Sequence, residues 1–328
     1  MIDNPICSDT ESETPMEGLV ESPLQTGHEA VDDYIYLLNG TPLSKLLSFV
    51  KNRGHKGRQA DFGLLTDEWR EAQQYSRTLQ TSEAGCADHP PIAPLPKHLD
   101  SLRAEFVQHP VVQNSFNTVP TEIAMIEFDR IVVSQRHIDL NYVQMLKERL
   151  GPAPTDEQIF RTCLPTDQPK PLVRSSRIHS GTHVFISPSN DLRFLGALPL
   201  EPDCLADPRP GLVGVVGLEV GFGSNFLNLI FAENRLILHN GSHRAYALRD
   251  LGVTHAPAII QYTYSMDEAD EVASSAIAVK PSLYLRGPRP PMLKDYFNPK
   301  LRKIVPVVRR NRQVRVKFTV ETASVPAL

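Results

Sequence analysis

The chain predicts an α+β fold, and three stretches carry that expectation. Between Leu236 and Ile260 a buried strand, a glycine turn, a short helix, a glycine stop and a second apolar strand follow one another. From Thr182 to His239 several apolar, β-prone runs are separated by turn residues. Ahead of both, residues 33–79 carry helical spacing. With 328 residues, 41% of them hydrophobic, the chain is long enough for a large core in one big domain or two ordinary ones.

Residues 1–32 are rich in Glu, Asp, Ser, Thr and Pro and hold no Lys or Arg, which predicts a disordered acidic tail. A small helical region over 33–80 follows, with helices expected in Asp33–Leu38, Pro42–Arg53 and Asp67–Leu79. In the second, Leu43, Leu46, Leu47 and Val50 form one apolar stripe. Thr81–Pro96 collects Ser, Gly, Cys, Asp and four prolines and reads as a linker.

The main domain is expected over 97–266. Lys97–His109 reads as helical, and Ile123–Val133 as a strand turning Ile126, Phe128, Ile131 and Val133 inward. Asp139–Leu150 is a helix. An insertion at about 151–220 contains an expected hairpin, His183–Ser187 and Leu192–Leu195 around the turn 188–191. Gly211–Val220, Asn225–Phe231 and Arg235–His239 should pair antiparallel, and the glycines of Gly211–Gly217 read as packing positions. Gly252 should end the helix Ser242–Leu251 in a left-handed conformation, before the strand Ala256–Tyr262. Ser265–Glu268 forms a capping box for a helix to about Ala278. Residues 267–328 then give that helix, a proline-rich piece Arg286–Pro291 and a strand over Gln313–Glu321.

Composition narrows the setting. Cys7, Cys86, Cys163 and Cys204 lack CxxC spacing, so a reducing, cytoplasmic environment is expected rather than a disulfide framework or zinc ribbon. His179 and His183 with Cys163 and Cys204 match no standard zinc spacing, and no metal ligand set is assigned. No signal segment or bilayer-spanning run is readable, so no membrane partner is expected. Net charge is only −4, but Lys294, Lys300, Arg302, Lys303, Arg309, Arg310, Arg312, Arg315 and Lys317 concentrate cations near the C-terminus. They read equally as a nucleic-acid footprint or a solvated strand face.

The chemistry gathers at Asn240-Gly241-Ser242-His243-Arg244. The first amides of a helix lack internal acceptors and lie at the positive end of its dipole, so they attract an anion arriving from the turn. Gly241 lets that anion approach the backbone. Arg244 offers a planar fork for two phosphate oxygens, His243 a donor or a proton, and Ser242 a cap or a further contact. Adjacent helical side chains diverge by about 100°, and no GxSxG elbow is present, which argues against a triad of Ser242, His243 and Asp250.

The run Leu236-Ile237-Leu238-His239-Asn240-Gly241-Ser242-His243-Arg244-Ala245-Tyr246-Ala247-Leu248 closely resembles the Gly-x-His/Arg-Arg-x-x-Ala box of the ParB/sulfiredoxin superfamily. Residues 126–136, with Gln135 and Arg136, are similar to that family's first strand and Gln-x-Arg turn. The resemblance covers under half the chain. It implies a ParB/sulfiredoxin-like mixed sheet carrying a β-rich insertion, in which residues 240–244 hold the phosphates of ATP or CTP with Mg2+. Sulfiredoxin's catalytic cysteine is Ser242 here, which excludes thiolate chemistry. The catalytic glutamate of the family's serine kinases corresponds to Gln135, which cannot remove a proton. No helix-turn-helix follows the domain, as it does in ParB.

The expected function is therefore nucleotide binding with phosphoryl transfer or nucleotide hydrolysis on an unidentified small-molecule or protein substrate. Asp139, His137 and His243 are the catalytic candidates. Gln135, Arg136, Arg286 and Arg289 are substrate-side candidates, the two arginines on a lid made by the proline-rich segment. For the turn 135–139 a solvated strand end with Asp139 capping a helix is an equal reading. The alternative function is a nucleotide-gated DNA- or protein-binding module without small-molecule turnover.

Overall fold

The computed structural model describes residues 30–326 except 117, 168–169, 180, 190, 208, 224 and 264–279. The acidic tail up to residue 29 and the helix expected after Ser265 lie outside the described residues. In chain order the elements are β1 (Val31–Leu37), α1 (Leu43–Arg53), α2 (Phe62–Ser82), β2 (Ile92–Ala93), α3 (Asp100–Gln108), α4 (Pro110–Ser115), β3 (Thr121–Glu127), β4 (Val132–Val133) and β5 (His137–Asp139). There follow α5 (Leu140–Leu150), α6 (Asp156–Cys163), β6 (Arg174–His179), β7 (Thr182–Ser187), β8 (Leu192–Leu200), β9 (Val215–Phe222), β10 (Asn228–Ala232) and β11 (Arg235–Asn240). Last come α7 (Ser242–Asp250), β12 (His255–Tyr262), β13 (Arg302–Val308) and β14 (Arg312–Lys317). The fold is α+β.

Two compact units form. The first comprises the described residues up to Thr166 with Asn225–Arg309, and the second Asp167–Ser224 with the described residues from Arg310. The insertion expected at about 151–220 is thus shorter at its start, since α6 belongs to the first unit, and it recruits the C-terminal strand.

The first unit holds a six-stranded mixed sheet, β2-β3-β12-β10-β11-β4, and a three-stranded sheet, β13-β1-β5. On one face of the larger sheet Leu229, Leu236 and Leu238 join Phe106, Val143, Leu146, Phe160, Ala245 and Leu248 from the helices. On the other face Val132, Ile230 and Ile237 meet Ala87, Tyr284, Leu285 and Met292. Ile126, Phe128, Ile131 and Val133 are buried as expected, but the single strand expected over Ile123–Val133 is two: β3 ends at Glu127, a helical turn covers Phe128–Arg130, and β4 pairs with β11 at the far edge of the sheet. A third cluster packs Tyr36, Leu38, Val305 and Val307 against Leu46, Val50, Leu65 and Ala72.

The helix expected at Asp33–Leu38 is the strand β1. Ile35 and Leu37 enter one cluster while Tyr36 and Leu38 enter another, so both faces are buried and the residues read as an unbroken apolar run. Such a run carries no periodicity to separate strand from helix. Thr81–Pro96 is not a boundary: α2 continues to Ser82, Ala87 is wholly buried, and Ile92–Ala93 pairs with β3. Its turn-forming composition marks a loop laid over the core. β13 was not anticipated, because Arg302, Lys303 and Pro306 interrupt its pattern. It pairs along all of β1, and Pro306 turns its carbonyl outward to His55.

The second unit is β-rich. The expected hairpin does not form, because β7 lies between β6 and β14 whereas β8 pairs with β9. β9 therefore does not join β10, although β10 and β11 pair antiparallel as expected. Of the glycines in Gly211–Gly217 only Gly217 is a packing position, where a Cβ would stand 3.0 Å from Leu200; a Cβ at Gly211 or Gly214 would meet nothing within 4 Å.

α7 ends as its sequence predicts. Gly252 has φ +86°, its amide donates to Arg249 O at 2.9 Å, and Val253 N donates to Leu248 O at 3.0 Å. These are the two bonds of a Schellman motif.

Candidate phosphate-binding site

β4 and β11 are neighbouring parallel strands, with Val132 beside Ile237 and Val133 beside Leu238. The turn leaving β4 and the helix leaving β11 therefore emerge at the same carboxyl end of the sheet, the position where open α/β sheets form ligand crevices. This brings Gln135, His137 and Asp139 to Ser242 and His243.

Gly241 caps α7 with φ +94°. A Cβ at that position would lie 2.9 Å from Leu227 Cδ1 and 3.0 Å from Leu227 Cα, so both conformation and space select glycine. Asn240 Oδ1 accepts from Gly241 N at 2.7 Å. The first helical bond is Ala245 N to Gly241 O, which leaves the amides of the preceding turn directed outward along the helix axis.

The facing turn is held on four sides. Ser242 Oγ donates to Gln135 Oε1 at 2.9 Å, and Gln135 Nε2 donates to His137 O at 2.9 Å. Tyr296 Oη donates to Gln135 O at 2.5 Å, and Leu37 N to Arg136 O at 2.6 Å. Asp139 N donates to His243 Nε2 at 3.0 Å. That bond requires an unprotonated Nε2, so the ring hydrogen is assigned to Nδ1.

Both histidines are held neutral. Burial pushes His243 down to about 4, assisted by the repulsion a protonated His137 would exert and by the charge of Arg244. Burial likewise takes His137 down to about 4, assisted by Arg53 and Arg136. His137 stacks on Tyr34 at 5.7 Å and meets Phe49 at 5.2 Å, while His243 has the Tyr142 ring edge-on at 5.4 Å. Three arginines thus project positive potential onto a pair of uncharged imidazoles.

The catalytic expectations change in this setting. Asp139 Oδ1 accepts from Asn141 N at 2.9 Å and Tyr142 N at 3.1 Å, so its carboxylate caps α5. A hydrogen bond to that carboxylate also helps push the Tyr34 phenol up to about 12, after burial and its negative charge. His243 Nε2 is occupied by the Asp139 amide. His137 lies among aromatic rings. None of the three is a disengaged base.

Arg244 is buried, 3% exposed, and its charge acts on the thiol of Cys163, which burial nonetheless raises to about 12. It is buried near Cys163 of α6, so the guanidinium expected to hold two phosphate oxygens is enclosed by the protein. Arg136 is half-buried, and its charge is felt by Tyr36, Tyr284 and Tyr296.

The proline-rich segment is not a lid over this site. Arg286 pairs with Glu233 at 3.2 Å, in the turn joining β10 and β11, at the opposite end of β11 from Gly241. Six residues of strand separate those ends, about 20 Å. Arg289 is fixed by Asp295 and by Glu83, and Pro290 and Pro291 are buried. A buried arginine paired with a buried aspartate ties the segment to the body of the unit.

Tyr296, Tyr34, Tyr142 and Arg53 shape the site but carry no local motif. Among the described residues no group of three His, Cys, Asp or Glu side chains is placed to hold a metal ion, and no helix is long and apolar enough to cross a membrane. Comparison with family models, with curated proteins and with solved structures finds no match to this chain in any of the three.

Proposed function

We propose that the chain is a nucleotide-binding module of the ParB/sulfiredoxin type, in which the amino end of α7 receives the phosphates of ATP or CTP. One observation carries this reading: α7 and the turn 134–139 face each other at the carboxyl end of two adjacent parallel strands. The helix amides with the positive potential of Arg53, Arg136 and Arg244 fit a phosphate. Magnesium would enter on the nucleotide, held by phosphate oxygens and water, because no carboxylate set is placed for it among the described residues.

Binding without small-molecule turnover is the better supported form. Asp139, His137 and His243 are each committed to structure, and Gln135 cannot act as a base. What binding changes is the Ser242–Gln135 contact. A phosphate at the helix end competes for the Ser242 hydroxyl and so releases Gln135 from α7, coupling the nucleotide to the turn that β5 and α5 extend.

Calorimetric titration of ATP, CTP, GTP and ADP with magnesium, alongside Ser242→Ala, tests this. Binding by the wild type and at least tenfold weaker binding by the variant supports the site. Absence of binding by every nucleotide overturns it. Substrate-independent hydrolysis at an enzymatic rate would restore the phosphotransferase or NTPase reading.

A further inference from the structure

The cations of the first unit fall into two sets with different surroundings. Towards its C-terminal end Lys294 pairs with Glu83, Lys303 with Glu68 and Arg309 with Asp32. Those three are consumed in holding the unit together. Residues 40–60 differ: they hold Lys45, Lys51, Arg53, Lys56 and Arg58 and no Asp or Glu. All five cations are exposed, and among the described residues none forms an ion pair. The nearest carboxylate in sequence, Asp61, caps α2 by accepting from Leu64 N at 3.0 Å. Asp33, opposite Pro306 on β1, is exposed and pairs with none of them.

Four of the five surround the turn that leaves α1. Lys51 and Arg53 stand in the last turn of the helix, where its dipole favours cations, but Lys56 and Arg58 lie beyond it. The turn is wound closely onto the helix end: a Cβ on Gly54 or Gly57 would stand 2.5 Å or 1.8 Å from Val50 O. Lys56 holds φ +55°, a left-handed conformation that glycine or asparagine adopts at less cost. Gly57 N donates to Gly54 O and Gln59 N to Lys56 O, and His55, Lys56 and Arg58 face solvent.

This turn lies beside the point where the acidic segment joins the fold. Val307 of β13 pairs on one side with Asp32 of β1 and on the other with Gly54, and His55 N donates to Pro306 O at 2.7 Å. Gly54 is therefore two strand spacings, about 10 Å, from Asp32. Ala30 O accepts from Arg309 N at 2.8 Å, which fixes the place from which residues 1–29 extend. Those residues hold seven Asp and Glu and no Lys or Arg. A chain spans up to about 3.3 Å per residue, so Glu17 and Glu21 reach the turn with length to spare.

We propose that the acidic segment 1–29 docks on the basic turn 51–58 of its own chain. Charge complementarity matches the two, one holding only carboxylates and the other only cations. Attachment about 10 Å away supplies the segment at an effective concentration of millimolar order, so a few solvent-screened pairs suffice to hold it. A detached polyanion would have to displace a partner that is already tethered. Arg53 apart, the turn shares no residue with the phosphate site, and the contact forms without nucleotide.

The test is zero-length carbodiimide cross-linking of the full chain, which joins a carboxylate to a lysine amine in direct contact, read by peptide mass spectrometry on the monomer. Links from residues 1–29 to Lys51 or Lys56 should exceed those to the exposed Lys97 roughly tenfold. They should vanish in about 1 M salt, where the screening length is about 3 Å. A second measurement uses Glu11→Gln, Glu13→Gln, Glu17→Gln, Glu21→Gln, which alters no described residue. Acetylation of Lys51 and Lys56 should be severalfold faster in that variant than in the wild type, with Lys97 unchanged. Links spread evenly over Lys97, links to Lys317 of the second unit instead, links confined to a dimer, or unchanged acetylation would each overturn the proposal. Inorganic polyphosphate that binds wild type and variant equally tightly would leave the turn to an external polyanion and overturn it as well.

Discussion

The backbone amide of Asp139 donates to Nε2 of His243 at 3.0 Å, joining the start of α5 to the start of α7 across 104 residues of sequence. A histidine beside a phosphate-type turn suggests a donor to the ligand. Here its reactive nitrogen is an acceptor for the protein's own backbone. His243→Ala should leave that amide without its acceptor and cost about 1–3 kcal/mol. Urea denaturation read by far-ultraviolet circular dichroism measures it, and an unchanged midpoint would contradict the contact.

Acid should weaken the protein through the same pair. His137 and His243 are both lowered to about 4 in the folded chain, whereas the unfolded chain takes up those protons near 6.5. Between those values the unfolded state binds more protons, so stability is full above pH 6.5 and falls as pH drops towards 4. Each histidine contributes up to roughly 3 kcal/mol over that window. Melting temperatures from pH 7.5 to 4.5 should fall, and His137→Phe should flatten the decline.

Asp139 separates a structural carboxylate from a catalytic one. Asn retains the capping oxygen, so Asp139→Asn should hold stability within about 0.5 kcal/mol, while Asp139→Ala should lose about 1 kcal/mol. Nucleotide affinity should survive in the Asn variant. A turnover assay in which Asn abolishes activity while the fold persists would return Asp139 to catalysis.

Gly241→Ala places a Cβ at 2.9–3.0 Å from Leu227 on a residue with φ +94°. The strain should cost about 1–3 kcal/mol and displace the start of α7. Thermal denaturation should show a lower melting temperature, with nucleotide binding lost even where the chain remains folded.

Arg289 and Arg286 are three residues apart in the same proline-rich segment but differ in surroundings. The side chains of Arg289 and Asp295 are 2% and 1% exposed, and Asp295 also accepts from Asn39 at 2.9 Å and Met292 N at 2.9 Å. Arg289→Ala strands a buried carboxylate and should cost about 3–5 kcal/mol. Arg286, 67% exposed, should cost under 0.5 kcal/mol when replaced by Ala. Chemical denaturation of the two variants side by side distinguishes a packed strap from a mobile lid, for which the two losses would be alike.

Sequence by itself determined what short-range physics governs. The strand, Gly241 turn, α7 and Gly252 stop were legible because each depends on residues within a few positions: left-handed glycines, apolar spacing and a Schellman end. Asp139 as a cap and the inward set Ile126, Phe128, Ile131 and Val133 were legible for the same reason. Tertiary structure alone decided the rest. β1 is a strand because two clusters bury its two faces, and β13 is its partner from some 270 positions away. The Ser242–Gln135 and Tyr296–Gln135 bonds span 107 and 161 positions. The engagement of His243, Asp139 and Arg289 follows from such long-range pairings. A local pattern fixes which side chains a segment offers, but long-range packing determines which of them the protein consumes in holding itself together.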